Sequence, residues 1–254
     1  MSPGKTKENQ NYLYVGYEHW KGWSSYFDFN AEDNEYFSGE MRNIPILGKR
    51  LLEIGFGRGE FLAWAKTQGA LVAGVEINNR SVEEAHRANI EILDLDIETL
   101  AADHAEQFDV IAAFDVLEHL EIDEITQYMR AMEKMLRHGG ILILRFPNGQ
   151  SPFGLAPQHG DVTHKTALSK SRIEQICQGS MFASVRYEGS YRVRGPWGLK
   201  RLARAARSLA QNMIGATLNL VYACDIPWDS VVVMVMRKEH AASGGPADTM
   251  VPRC

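Results

Sequence analysis

The residues best suited to chemistry begin at Glu53, which closes a short apolar run and is followed by Gly55, Gly57 and Gly59 in the stretch LLEIGFGRGEF. Glycines at such spacing let a backbone turn sharply and approach a ligand closely. The pattern is G-x-G-x-G, whereas a dinucleotide fingerprint needs G-x-G-x-x-G, and Glu60 stands where its third glycine belongs. A carboxylate at the start of the next helix repels a pyrophosphate. The turn therefore suits a ligand without phosphates and argues against NAD(P). Glu76 closes the second apolar run, ALVAGVE. An acid there can accept hydrogen bonds from both hydroxyls of a ribose, and the plain alternative is a surface-turn acid. Asp96, in LDLDIETL, can accept from an adenine amino group or cap a helix. Both readings stay open. The stretch FDVIAAFDVLEHL, residues 108–120, runs into a loop at the same edge.

These residues need a frame that brings them together. Strand patterns fall at 50–54, 71–76, 90–94, 108–115, 140–146, 182–188 and 230–237, and helical patterns near 60–68, 80–88, 122–137 and 168–178. Such alternation predicts a mostly parallel sheet with helices on both faces, a Rossmann-like α/β fold. In an open sheet of this kind the ligand sits outside the carboxyl ends of the strands, where all the candidates above lie. Residues 1–47 form an N-terminal extension rich in aromatics (YLYVGYEHWKGWSSYFDF), suited to a lid over a ligand or to packing on the sheet edge. A short helix is expected from Glu32 to Met41. The main domain spans 48–239, with a helical insertion at about 189–229, and 240–254 reads as a disordered tail.

Within that insertion, the apolar positions Leu199, Leu202, Ala206, Leu209 and Met213 share one stripe, opposite Lys200, Arg201, Arg204 and Arg207. Pro196 suits the start and Gly215 the end. One reading is a helix that caps the core with a solvated basic face. The other is peripheral membrane contact through the basic helix 198–214, or a basic rim for an anionic or lipid-linked glycan.

The chain has 254 residues, of which 45% are hydrophobic and 23% charged, and its net charge is −5. No charge excess points to nucleic acid. Cys177, Cys224 and Cys254 fit neither a disulfide framework nor a zinc site. The N-terminus lacks the apolar core of a signal peptide, and no apolar run is long enough to cross a bilayer. A cytoplasmic protein is expected, peripheral to the inner membrane face if the basic helix binds there.

Four motifs in order, LLEIGFGRGEF, GVEIN, FDVIAAFDVLEHL and MLRHGGILILRFPN, resemble those of class I S-adenosylmethionine-dependent methyltransferases. They cover about residues 48–148. The resemblance implies a seven-stranded sheet whose last strand is antiparallel, with S-adenosylmethionine as donor and S-adenosylhomocysteine as product. It also implies that Glu53, Gly55, Gly57 and Gly59 shape the pocket for the methionine part and that Glu76 holds the ribose. Ile77 would pack on the adenine, Asp96 and Ile97 would border it, and Asp115 or its neighbours would face the methionine end. His119 either helps to close the site or is a packed structural histidine.

A sulfonium methyl is already activated, so the enzyme mainly aligns the incoming nucleophile. A hydroxyl acceptor must also lose a proton, and histidine suits that task near neutrality. The Gly- and Pro-rich segment Pro147 to Ile176 carries His159, Asp161 and His164 where it can overhang the pocket. His164 is the first choice of base and His159 the second, with Asp161 orienting either ring. Loop-stabilising hydrogen bonds are the plain alternative, and no metal is expected, although the same three residues could ligate a divalent cation. HGDVTHKTALS resembles a stretch of methyltransferases encoded with surface-polysaccharide and glycan synthesis, which implies a sugar hydroxyl as acceptor. The alternatives are a small non-sugar metabolite of the quinone or polyketide type, or an S-adenosylmethionine-binding protein without turnover.

Overall fold

A computed structural model describes residues 22–240. The expected disordered ends and the first part of the aromatic extension lie outside these residues, apart from His240 itself. Seven strands alternate with helices. They are β1 (Arg50–Ile54), β2 (Leu71–Val75), β3 (Glu91–Ile92), β4 (Phe108–Phe114), β5 (Leu136–Pro147), β6 (Phe182–Gly189) and β7 (Val231–Lys238). The sheet order is β3-β2-β1-β4-β5-β7-β6. β1 to β5 run parallel, and β7 is antiparallel to both β5 and β6. The seven-stranded Rossmann-like sheet with its antiparallel last strand is thus as expected.

The central strands are apolar on both faces because both are covered. Leu52, Ile54, Ile111, Leu142 and Leu144 enter one buried cluster. Their neighbours Leu51, Val110, Ala112 and Ile143 enter the other. The helices that supply the two layers include α1 (Ala31–Glu40), α2 (Glu60–Thr67), α3 (Asn79–Arg87), α4 (Ile97–Asp103) and α5 (Ile122–Met135). Asn30, Asn78 and Asp96 cap α1, α3 and α4 by accepting from backbone N–H groups of the first turn. The order of strands reverses between β1 and β4, so their carboxyl ends splay apart and open a crevice.

The segment after β5 forms α6 (Leu155–His159) and then α7 (Lys170–Ile176). Between β6 and β7 runs α8 (Leu199–Tyr222), which departs from the sequence reading in two ways. It does not end at Gly215. One glycine costs a helix only about 1 kcal/mol, and the helix continues to Ala223, whose left-handed conformation closes it. It also caps no core, since none of its residues is buried. Its half-buried positions are Arg201, Arg204, Ser208, Gly215, Leu218 and Asn219, all on the polar side. That side faces the protein: Arg204 bonds Glu32, Arg192 bonds Asn212 and the Ser208 carbonyl, and Asn219 bonds Trp228. The apolar stripe points to solvent. Cys177 is a buried free thiol.

Candidate active site

The crevice holds a cavity of about 460 Å³. Its floor is the turn after β1. Gly55, Gly57 and Gly59 all have left-handed φ, at 70°, 52° and 73°, a conformation that glycine alone adopts without strain. The close packing leaves no room for a side chain at Gly55 or Gly59: a Cβ at Gly55 would meet Val116 Cγ2 at 2.6 Å, and one at Gly59 would meet the Phe27 ring at 2.2 Å. Gly59 is the N-cap of α2. It shapes the turn from below, while Gly55 and Gly57 line the cavity.

Glu76 lies at the carboxyl end of β2, on the cavity wall. Its Oε2 accepts from the Gly57 N–H at 2.7 Å, and its Oε1 accepts from the N–H groups of Ile77 and Asn78 at 2.7 and 2.9 Å. Three of about four acceptor positions on the carboxylate are taken, so a ribose that engages both oxygens must displace a backbone donor. Burial pushes the Glu76 pKa up, and the three amides only partly offset it. Beside it Ile77 is 53% exposed and lines the cavity, which leaves a free apolar surface for a flat ring.

Glu53 is buried among charges. Burial pushes its pKa well above the usual carboxylate range, Arg145 opposes the shift, and Glu76 and Glu60 add to it. Its Oε2 has no hydrogen-bond partner among the described residues. The two carboxylate oxygens of Asp115 accept from Nε and Nη2 along one edge of the Arg145 guanidinium, and its Nη1 donates to the Tyr36 hydroxyl at 2.6 Å. Burial works against the charge on Arg145, yet Asp115 and Tyr36 outweigh it and hold its pKa up. Trp23, Tyr36 and Phe37, from the N-terminal segment, complete one wall.

Asp33, Glu53, Glu60, Glu76 and Asp115 face the cavity against the guanidiniums of Arg58 and Arg145. An excess of carboxyl groups favours a cationic ligand and disfavours a pyrophosphate. A sulfonium nucleoside that carries an ammonium group fits this set of carboxyl groups.

Two expected residues take other places. Asp96 is exposed, and its side chain accepts from Thr99 N–H at 2.9 Å to cap α4, while Leu95 lines the cavity. Ile97 turns into the core. A capping aspartate followed by an amphipathic turn could have signalled α4, which the sequence reading did not place.

The histidines are rearranged as well. His159 is exposed at the end of α6. His164 does not line the cavity; its Nδ1 lies 3.1 Å from the Gln158 carbonyl, and its Nε2 lies 4.0 Å from Asp161 Oδ2. His119 is the imidazole on the cavity wall, with its ring 4.6 Å from that of His164. Its Nδ1 lies 2.9 Å from Thr163 Oγ1, which in turn lies 2.5 Å from Asp161 Oδ1. A threonine hydroxyl has one proton. Given to the carboxylate, it leaves the oxygen to accept from Nδ1–H of His119, and Nε2 is then the basic nitrogen of the neutral ring. Among the described residues the one metal-capable group is Glu118, His119 and His164, with ligand atoms within 4.8 Å of one another, rather than His159, Asp161 and His164.

Residues 26–193 match the family model described as a methyltransferase domain. The chain belongs to this family, the class I S-adenosylmethionine-dependent methyltransferases. Among curated relatives, the ubiquinone biosynthesis O-methyltransferase of Psychrobacter cryohalolentis is 30% identical over 115 residues, 42% of this chain and 44% of that protein. The protein of the same name from Pseudomonas fluorescens is 29% identical over 103 residues, 38% and 44% of the two chains. This chain thus spans under half the length of these relatives. In fold the methyltransferase is similar to an S-adenosylmethionine-dependent methyltransferase from Archaeoglobus fulgidus, with a TM-score of 0.62, 20% identity, and 89% and 99% of the two chains covered. It is also similar to the 1,6-didemethyltoxoflavin-N1-methyltransferase of Burkholderia thailandensis, at TM-score 0.58, 14% identity and 94% and 93% coverage.

Proposed function

We propose that this methyltransferase methylates a hydroxyl of a small non-sugar metabolite of the quinone or polyketide class, with His119 as the base. The chain of hydrogen bonds from Asp161 through Thr163 to His119 carries the reading, because it fixes a basic nitrogen on the ring that faces the cavity. The names of the curated relatives favour a quinone-type acceptor over the sugar implied by the HGDVTHKTALS stretch. Tyr36, Phe37, Phe114 and Tyr128 give the cavity aromatic surface suited to a flat, ring-bearing acceptor.

S-adenosylmethionine, when bound, supplies a methyl already activated on a sulfonium. The glycine turn, Glu76 and Ile77 hold the nucleoside end, and the carboxyl-rich wall suits the cationic end. Nε2 of His119 accepts the hydroxyl proton as the acceptor oxygen attacks. Asp161, acting through Thr163, stabilises the imidazolium that results.

The test is turnover of labelled S-adenosylmethionine on phenolic and quinol acceptors beside nucleotide-sugar acceptors. Transfer is expected on the hydroxyaromatics. His119→Ala should lower kcat by about 10²- to 10⁴-fold while leaving S-adenosylhomocysteine affinity nearly intact. Turnover confined to sugars refutes the acceptor class, and full turnover by His119→Ala refutes the base.

A further inference from the structure

We propose that α8 is a docking element for an anionic bilayer surface, on which it lies flat. The observation is the orientation of the helix. An amphipathic helix of a globular protein turns its apolar stripe inward, and α8 does the reverse. Leu199 and Leu220, near its two ends, are 84% and 83% exposed, and Leu202, Leu209, Met213 and Ile214 are exposed between them. At 1.5 Å per residue this stripe is about 32 Å long. Trp197 precedes the helix at 86% exposure, with the Arg201 guanidinium 4.2 Å from its ring centroid. A patch this long and apolar on a protein surface marks a contact.

Charge identifies the contact. The chain as a whole carries −5, yet every charged residue of α8 is a cation: Lys200, Arg201, Arg204 and Arg207. Arg204 is bound by Glu32. Lys200 and Arg207 flank the apolar stripe, and both are exposed. Exposed leucines and a tryptophan beside lysine and arginine, with no acid in the helix, are the composition of a helix that lies in the headgroup plane of an anionic membrane. A second copy of the chain would cover the stripe but supply no acid from its own α8 to meet these cations. No helix among the described residues is long and apolar enough to cross a membrane, so the contact is with the surface.

The position also makes chemical sense. Arg204 holds Glu32 through both carboxylate oxygens, at 2.8 and 3.2 Å, and the next residue, Asp33, lines the cavity. A bilayer gripped by α8 would therefore lie close to the α1 wall of the site.

The full chain would be sedimented with vesicles of mixed phosphatidylglycerol and phosphatidylcholine, and with phosphatidylcholine alone. Binding is expected to the first and not the second, with a blue shift in emission that Trp197→Phe removes. Lys200→Gln with Arg207→Gln should weaken binding roughly 30-fold, taking about 1 kcal/mol per charge at the surface. Leu202→Gln, Leu209→Gln and Met213→Gln together should abolish it. Unchanged thermal unfolding would show that these exposed substitutions leave the fold intact. Absence of binding to the anionic vesicles, or equal binding to both kinds, overturns the proposal. A dimer in light scattering that the triple variant converts to monomer also overturns it, and assigns the stripe to a second copy.

Discussion

Replacing Thr163 by valine tests the proton chain directly. Thr163 is buried, and valine keeps its branched shape while removing the hydroxyl. Asp161 Oδ1 loses the donor at 2.5 Å but keeps the Thr163 backbone N–H at 3.0 Å, and Nδ1 of His119 loses its acceptor. A hydrogen bond to a charged group contributes about 1.5–3 kcal/mol. For a chain of this length that corresponds to a fall in Tm of roughly 3–12 °C. The catalytic effect is separate from this. Without the hydroxyl the ring loses its fixed tautomer and the support for its cationic form, so part of the ~10²- to 10⁴-fold due to a base is lost. Thr163→Val should lower kcat at least tenfold, read as S-adenosylhomocysteine release with a hydroxyaromatic acceptor, while the KM for S-adenosylmethionine holds. Thr163→Ser keeps the hydroxyl and should recover most of the rate. If valine turns over within twofold of wild type at a temperature where it is folded, or if serine is as slow as valine, the chain takes no part in proton transfer.

Glu53→Gln should change how stability depends on pH. A carboxyl whose pKa is raised by folding favours the fold below its ordinary value of 4.5, and that contribution is lost as pH rises through the folded value. Wild type should therefore lose Tm relative to Glu53→Gln as pH rises above about 4.5, and parallel curves would refute the burial argument. Glu76→Ala should weaken S-adenosylhomocysteine binding by 1.5–3 kcal/mol, about ten- to 150-fold by calorimetry; unchanged affinity removes Glu76 from the ribose. Gly59→Ala places a Cβ against Phe27 at a φ of 73°. The left-handed conformation alone costs about 1–2 kcal/mol, so the urea midpoint should fall clearly, and an unmoved midpoint would show that the turn can relax.

The sheet was legible because strands covered on both faces are apolar almost throughout: VIAAF is wholly so, and LLEIG and ILILRF each carry one charged residue, Glu53 and Arg145, near the end that faces the site. The first half of the site was legible for a related reason: the Gly55–Gly59 turn and Glu76 act largely through backbone geometry, which short motifs record. The second half depends on contacts distant in sequence. His119 meets Thr163 44 residues away, and Arg145 meets Tyr36 109 residues away. A loop rich in histidine drew attention to His159 and His164, but the loop folds with Asp161 and Thr163 inward, under His119. The orientation of α8 was hidden for another reason. An amphipathic pattern shows that a helix has two faces, and which of them meets the protein depends on partners such as Glu32, Arg192 and Trp228.

The clasp between Glu76 and the glycine turn has a thermodynamic consequence. Gly57 is tied to the end of β2 through a side chain, so the loop that a ligand must meet is set when the protein folds. The amides of Gly57, Ile77 and Asn78 should then resist hydrogen exchange in the empty enzyme almost as well as in the loaded one. The arrival of the nucleoside would register as a change of acceptor rather than as the freezing of a loop. The entropy of ordering is lost during folding, and the free energy of binding is left to choose among ligands.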